Sequence, residues 1–231
     1  MLPLNGERLI MEKKNGVYAR FIKRFLDILC SGLGLLLLCW LFGIIAVLVR
    51  IKLGKPVIYK AKRPGRIDPA TGREKLFQLY KFRSMTNETD ENGKLLPDTQ
   101  RLTRFGRFLR ATSLDELPEL FNIFIGDMSI VGPRPLAVSY LKYYTEQEHH
   151  RHDVRPGLTG LAQISGRNGI SWEEKFRFDL QYIENISFSM DARILFATIW
   201  KVLKKDGIGQ GEEAPVSLSI QRMTQAEKGT E

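Results

Sequence analysis

The segment Ser113-Leu114-Asp115-Glu116-Leu117-Pro118 sets two adjacent carboxylates in a chain of net charge +9. An ionised Asp can attack phosphorus to give an acyl phosphate. Its own charge opposes approach to a diphosphate, so Mg²⁺ and cationic side chains are needed to neutralise such a site. Adjacent residues of a helix diverge by about 100°, so Asp115 and Glu116 cannot easily share one proton as a dyad. They suit divided roles, one attacking while the other binds metal or takes a proton. The spacing also fits an ordinary helix start, since Ser113-x-x-Glu116 has the form of a capping box with Ser113 as N-cap. The two readings are compatible. The partial positive charge of a helix N-terminus keeps Asp115 ionised, and free amides there can hold a phosphate.

Cations for such chemistry are present. Lys81 lies in Tyr80-Lys81-Phe82-Arg83-Ser84-Met85, Arg110 precedes the acidic pair, Arg134 sits between Pro133 and Pro135, and Arg155 and Arg167 lie in glycine-rich loops. Arginine binds phosphate oxygens through a fixed fork. Each alone also fits a surface charge or a structural ion pair. Arg134 stands out because the flanking prolines fix its backbone. His149, His150 and His152 have no matching Cys or His cluster and read as an exposed polar run. No D-x-D pair, phosphate-binding P-loop or dinucleotide-binding glycine fingerprint occurs.

These residues need elements to position them. At 231 residues the chain suits one domain with a sizeable core. Its basic excess suits an anionic partner: nucleic acid, anionic lipid headgroups or phosphorylated substrates. Cys30 and Cys39 are the only cysteines and both lie in an apolar run, so the rest of the chain has no disulfide framework. That run, Ile28 to Val49, holds 22 uncharged residues, or about 33 Å as a helix, enough to span a bilayer. Lys23 and Arg24 precede it, and Arg50, Lys52 and Lys55 follow it. The positive-inside tendency places both ends in the cytoplasm, which a helix that enters and returns on one face satisfies. A plain signal anchor and a buried core helix are the alternatives.

Residues 1–19 read as a loose tail, 20–50 as the membrane element, 51–207 as a catalytic domain and 208–231 as a flexible tail. A short strand is expected at Lys55 to Tyr59, turns at Lys62 to Arg66 and Asp68 to Gly72, and the return strand of a hairpin at Leu76 to Phe82. Leu102 to Ala111 reads as a basic helix, with Arg101, Arg104, Arg107 and Arg110 at three-residue spacing. Cationic on one side and apolar on the other, it has the make-up of an interfacial helix. Further helices are expected over Leu114 to Ile125, Leu136 to His149, Ser171 to Ile183 and Asp191 to Lys205, with loop and short strand over Val154 to Gly169.

The ordered motifs resemble those of the small monotopic phosphoglycosyl transferases, bacterial sugar transferases that start glycan assembly on a lipid carrier. The resemblance runs from about Phe21 to Gly207. It rests on Lys23-Arg24-Phe25-Leu26-Asp27, Arg63-Pro64-Gly65, Tyr80 to Met85, Ser113 to Pro118 and Gly126-Asp127-Met128-Ser129. It continues through Val131-Gly132-Pro133-Arg134-Pro135, Val154 to Gly160 and Ser165-Gly166-Arg167-Asn168. The chain looks closest to the branch that transfers phospho-bacillosamine. The resemblance implies transfer of a sugar 1-phosphate from a UDP-sugar, an N-acetylated amino sugar by branch, to undecaprenyl phosphate, with release of UMP. It implies a covalent intermediate on Asp115, assistance from Glu116 at the metal or as base, and Mg²⁺ as cofactor. Lys81 and Arg110 match basic positions near the reacting phosphates, Arg134 matches the Pro-Arg-Pro motif, and Asp191 matches an acidic position ahead of the last helix. The family's membrane helix usually carries a Ser-Pro pair that turns it back; here those positions read Cys39-Trp40.

The expected protein is therefore α+β and mostly helical. It has one N-terminal re-entrant membrane helix, amphipathic interfacial helices and a small β-hairpin. Its location is the bacterial cytoplasmic membrane, with the catalytic domain on the cytoplasmic face. Partners are a UDP-sugar, undecaprenyl phosphate, membrane lipid and downstream glycosyltransferases, with no nucleic acid. Asp115 and Glu116 are the candidate catalytic and metal residues. Lys81, Arg110, Arg134, Arg155, Arg167 and Asp191 are the candidate substrate binders. Two rivals remain: a membrane-anchored basic binding protein without activity, and direct transfer with Glu116 as base.

Overall fold

The apolar run does not form one straight helix. In the computed structural model, which describes residues 16–166, 169–204 and 217–228, it folds as α1 (Lys23–Leu37) and α2 (Cys39–Lys52) after a π turn at Tyr18–Ile22. The break is Leu38, at φ −100° and ψ 6°, and the segments Tyr18–Leu37 and Cys39–Lys52 are bent by 63°. Among the described residues no single helix is long and apolar enough to cross a membrane, whereas this bent pair reaches that length and hydropathy together. The turn is thus made without proline. It falls at Leu38, directly before Cys39-Trp40. The two halves pack on different surfaces. Gly32 and Gly34 of α1 lie against Phe124 and Leu120, while Ile45 and Val49 of α2 enter a core with Phe82 and Leu109. Phe25, Leu36, Trp40 and Ile51 stay 62–71% exposed, a larger apolar surface than a water-facing helix pair carries.

Strands β1 (Ile58–Ile67) and β2 (Glu74–Phe82) form the antiparallel hairpin. The expected turn at Asp68 to Gly72 is present, with the Thr71 and Gly72 amides donating to the Asp68 carbonyl. Arg63-Pro64-Gly65, expected as a turn, instead lies within β1, where the register shifts between Pro64 and Ile67. Proline cannot donate to a ladder, and an irregular two-stranded edge is where it is tolerated.

The expected basic stretch is divided: Arg101 ends α3 (Asp98–Arg101), and the helix expected over Leu102 to Ala111 is α4 (Arg104–Ala111), capped by Thr103 through the Gly106 amide. Arg101 is therefore on a different helix from the other three arginines. Phe108 is exposed while Leu109 is buried in the α2 core. The helix expected over Leu114 to Ile125 is also divided, into a 3₁₀ turn at Leu114–Glu116 and α5 (Glu119–Ile125), with Pro118 at the junction. Strands β3 (Ser129–Val131) and β4 (Gly157–Thr159) pair in parallel. A β-carbon on Gly157 would fall 2.1 Å from the Gly132 amide nitrogen, so glycine is needed where these backbones meet.

The helix expected over Leu136 to His149 is a 3₁₀ segment, Val138–Tyr143, followed by α6 (Glu146–His149) and a 3₁₀ turn at His150–His152. Beyond β4 come α7 (Leu161–Ser165), not anticipated, then α8 (Trp172–Glu184), α9 (Phe188–Lys204) and α10 (Leu218–Lys228). Helix α8 begins with a complete capping box between Ser171 and Glu174. Helix α10 corrects the expectation of a flexible tail over 208–231 in its described part. Residues 1–15 of the expected tail 1–19, and the segment 205–216, lie outside the described residues, while Tyr18 and Ala19 of that tail enter the π turn.

Candidate active site

The acidic pair sits on a strained turn rather than at a helix start. Ser113 has φ +55°, the one left-handed non-glycine residue among those described, and its side chain makes no capping bond. The expected capping box is absent because Pro118 and the 3₁₀ turn stop an α-helix from forming there. A non-glycine residue held in this region is strained, as functional turns often are.

Asp115 is 7% exposed and lines a cavity of about 910 Å³. Among the described residues its carboxylate has no hydrogen-bond or ion-pair partner. Burial and the neighbouring Glu116 charge push its pKa up to about 6, against the pull of Lys81, Arg110 and Arg134. The carboxylate still ionises at neutral pH as expected, but its pKa lies above the ordinary value, since burial outweighs any local dipole. Glu116 behaves oppositely. Burial works against its ionisation, but Arg134 and Lys81 hold it well below the usual carboxylate range. Lys81 Nζ lies 2.7 Å and Arg134 Nη2 lies 2.9 Å from the same oxygen, Glu116 Oε1. One carboxylate is thus neutralised by cations and the other is left unpaired beside them. The two side chains have the divided environments that divided roles need.

Lys81, Arg110 and Arg134 line the same cavity as Asp115 and Glu116. Arg110 Nε donates to Ser84 Oγ at 2.9 Å. That contact depends on Gly106, where a β-carbon would overlap the Ser84 carbonyl oxygen at 1.8 Å. The other predicted residues lie elsewhere. Arg155 donates to the Gly126 carbonyl at the end of α5, beside Arg24, which donates to the Ile123 and Phe124 carbonyls. Asp191 accepts from Tyr18 Oη, Lys23 Nζ and Tyr182 Oη at 2.7, 2.5 and 2.8 Å, tying the π turn and α1 to α9. Neither residue lines the cavity. Arg167 lies outside the described residues.

Sequence reasoning missed two supports of the site. Glu119 is 2% exposed and lies 3.0 Å from Lys81 Nζ, so Lys81 is clasped by two carboxylates. Burial raises the Glu119 pKa, against the pull of Lys81. Its place three residues after Glu116, one helical turn on, was the available signal. The second support is Arg151, fully buried against Asp179 at 2.7 Å and donating to the Arg134 carbonyl at 2.8 Å. The Pro-Arg-Pro loop is thus held from behind by a buried ion pair.

Arg151 was hidden in the histidine run, whose expected exposure is corrected here. His149 pairs with Glu74 and His150 with Asp153, but His152 is 3% exposed, its Nδ1 3.1 Å from the Gly65 carbonyl. Tyr144, Glu148, Arg151 and His152 recur at a helical period, and all four are buried. Burial and the Arg151 charge lower the His152 pKa from 6.5 to about 3. The unfolded chain therefore binds the extra proton between those values, and stability is lost as pH falls through that window. Denaturant titrations should show stability dropping by a few kcal/mol, on the order of 1.4 per pKa unit, between neutral and strongly acid pH. His152→Gln should flatten that limb; an unchanged slope in the variant would assign it to other groups.

A family model described as bacterial sugar transferase matches residues 18–205. The chain is 50% identical over 192 residues to the uncharacterized sugar transferase EpsL of Bacillus subtilis (strain 168), covering 82% of this chain and 91% of that protein. It is 39% identical over 206 residues to the undecaprenyl-phosphate galactose phosphotransferase of Salmonella typhimurium, covering 82% of this chain and 42% of that protein. It is 40% identical over 210 residues to the UDP-glucose:undecaprenyl-phosphate glucose-1-phosphate transferase of Klebsiella pneumoniae, covering 86% of this chain and 41% of that protein. The chain thus spans less than half the length of the two relatives whose names carry a substrate.

Proposed function

Because the chain belongs to the bacterial sugar transferase family, we propose that it moves a sugar 1-phosphate from a UDP-sugar to undecaprenyl phosphate, releasing UMP. The observation that carries this reading is the buried, unpartnered Asp115 carboxylate in a cavity it shares with Lys81, Arg110 and Arg134. In the first step an Asp115 oxygen attacks the phosphorus that bears the sugar. The bond from that phosphorus to the bridging oxygen breaks, and the electron pair leaves with UMP. In the second, a phosphate oxygen of the lipid attacks the same phosphorus and the aspartyl bond breaks, returning Asp115 as a carboxylate. Lys81 and Arg134 hold Glu116 charged beside the reacting group, and the cationic walls offset the charge that gathers on the transferring phosphoryl.

Mg²⁺ belongs to the proposal. It commonly takes one or two protein carboxylates and completes its shell with phosphate oxygens and water. Asp115 and Glu116, with the unengaged Asp115 oxygens, fit that demand. When bound it would screen the diphosphate charge against the incoming carboxylate.

The membrane reading rests on the bent pair α1–α2 and its exposed apolar side chains, with cationic residues at both ends. It places the pair as a re-entrant anchor in the bacterial cytoplasmic membrane. Phe196 and Trp200 of α9, 72% and 60% exposed, fit the surface of the same lipid layer. Such placement suits two substrates whose reacting groups are charged while one carries a long hydrocarbon tail. The sugar we propose is an N-acetylated amino sugar, supported by the motif resemblance to the phospho-bacillosamine branch.

The test is UMP release from a panel of UDP-sugars with undecaprenyl phosphate, together with exchange of labelled UMP into UDP-sugar without lipid. N-acetylated amino sugars should give the highest turnover, and exchange should proceed without acceptor. Turnover confined to UDP-glucose or UDP-galactose would overturn the sugar assignment. Release that needs the lipid, with no exchange, would favour direct attack with Glu116 as base. No release from any donor would leave the rival of a non-enzymatic anchored protein.

A further inference from the structure

The family match ends at residue 205, yet α10 packs back onto the body of the protein. Leu218 is fully buried in a cluster with Tyr144, Trp172 and Phe176. Gln221 Nε2 donates to both carboxylate oxygens of Glu173, at 2.9 and 3.1 Å. Arg222 Nη2 lies 2.5 Å from Glu148 Oε1, while the other oxygen of Glu148 accepts from the Thr145 amide in the α6 capping box. These contacts grip two elements that serve the cavity. Trp172, Lys175 and Asp179 of α8 are part of its wall. Arg151, one turn after Glu148, joins Asp179 to the Arg134 carbonyl.

We infer that α10 is a strap that positions the α8 wall for the UDP-sugar; the inference rests on the reaction proposed above. None of its described side chains lines the cavity, so it acts through Trp172, Glu173 and Glu148 as a positioning element. The chemistry at Asp115 does not touch it. Loss of the strap should therefore weaken donor binding and leave the bond-making steps alone, the pattern of a raised KM with kcat held.

The experiment uses the full chain in its membrane or detergent form. It compares Gln221→Ala/Arg222→Ala, Leu218→Asp and Thr224→Ala, whose hydroxyl donates to the Ile220 carbonyl of its own helix. The double variant should raise KM for the UDP-sugar about five- to tenfold with kcat within about twofold, and hydrogen exchange should quicken over 172–176. Leu218→Asp should do the same or more, and Thr224→Ala should match the wild type. The double variant decides the matter if Leu218→Asp fails to fold. An unchanged KM in the double variant overturns the strap, even where exchange quickens, while a fall in kcat at constant KM overturns the division of roles. A wild-type chain that releases no UMP overturns the reaction itself, so the two failures are told apart.

Discussion

Asp115→Asn should abolish UMP release, lowering turnover by at least about 10³-fold, while making the protein more stable. The two effects have one cause. The Asp115 carboxyl titrates at about 6 in the folded chain against 3.8 for an ordinary aspartate, because it is buried beside Glu116. The folded state therefore holds its proton more tightly than the unfolded chain does. Stability falls as pH rises through that window, and at neutral pH the ionised group is a net burden. A neutral amide of the same shape removes the burden, worth on the order of 1–3 kcal/mol and a rise of a few degrees in Tm for a domain of this size. A structural carboxylate would behave in the reverse way, since removing it would break partners it has satisfied. Thermal melts in parallel with UMP kinetics, at pH 7 and again near pH 4, check both halves. The stability gain should shrink at the lower pH, where the wild-type carboxyl is largely protonated. A variant that keeps substantial UMP release would end the covalent role. One that loses activity together with stability would point to a structural defect.

The residues that could do chemistry were legible in sequence because charge type and spacing are local. The acidic pair, Lys81, Arg110 and Arg134 needed no partner to be conspicuous. What the sequence could not show was where a long side chain finds its partner. Arg155 and Arg134 both read as phosphate binders beside proline, yet Arg155 donates to the end of α5 while Arg134 reaches Glu116. Asp191 is taken up by two tyrosines and a lysine. The same limit applies to the fold. The apolar run and the hairpin follow from composition and alternation. The break at Leu38 follows from the packing of α1 on α5 and of α2 on β2 and α4, which no local pattern records. Capping motifs divide in the same way. Ser171 and Glu174 close their box, whereas Ser113 takes a left-handed turn and makes no capping bond. Helix α10 was hidden because a polar sequence with one anchoring leucine reads as a tail until Leu218 is seen against Trp172 and Phe176.

Lys81→Met should reduce kcat/KM by at least about 10²-fold, since in the proposed reaction it removes a cation from the cavity wall that offsets the developing phosphoryl charge. It should also destabilise the fold, because Lys81 Nζ is shared by Glu116 at 2.7 Å and Glu119 at 3.0 Å. Breaking a buried ionic cluster by deleting one member costs about 3–5 kcal/mol, most of it from the charges left unpaired. Here Glu116 retains Arg134, while Glu119, 2% exposed, loses the cation 3.0 Å away and is left to take a proton. Glu119→Gln in the same chain supplies a neutral group of equal size and removes that charge. The double variant should therefore regain a large part of the lost stability and none of the lost activity. The comparison separates two duties that a single substitution confounds, holding the fold of the α5 entrance and neutralising the transferred phosphoryl. Denaturant midpoints and UMP release measured on the single and double variants give both couplings from one cycle. Recovery of turnover alongside stability would show that Lys81 serves the fold alone. Wild-type kinetics in Lys81→Met would remove it from the site altogether.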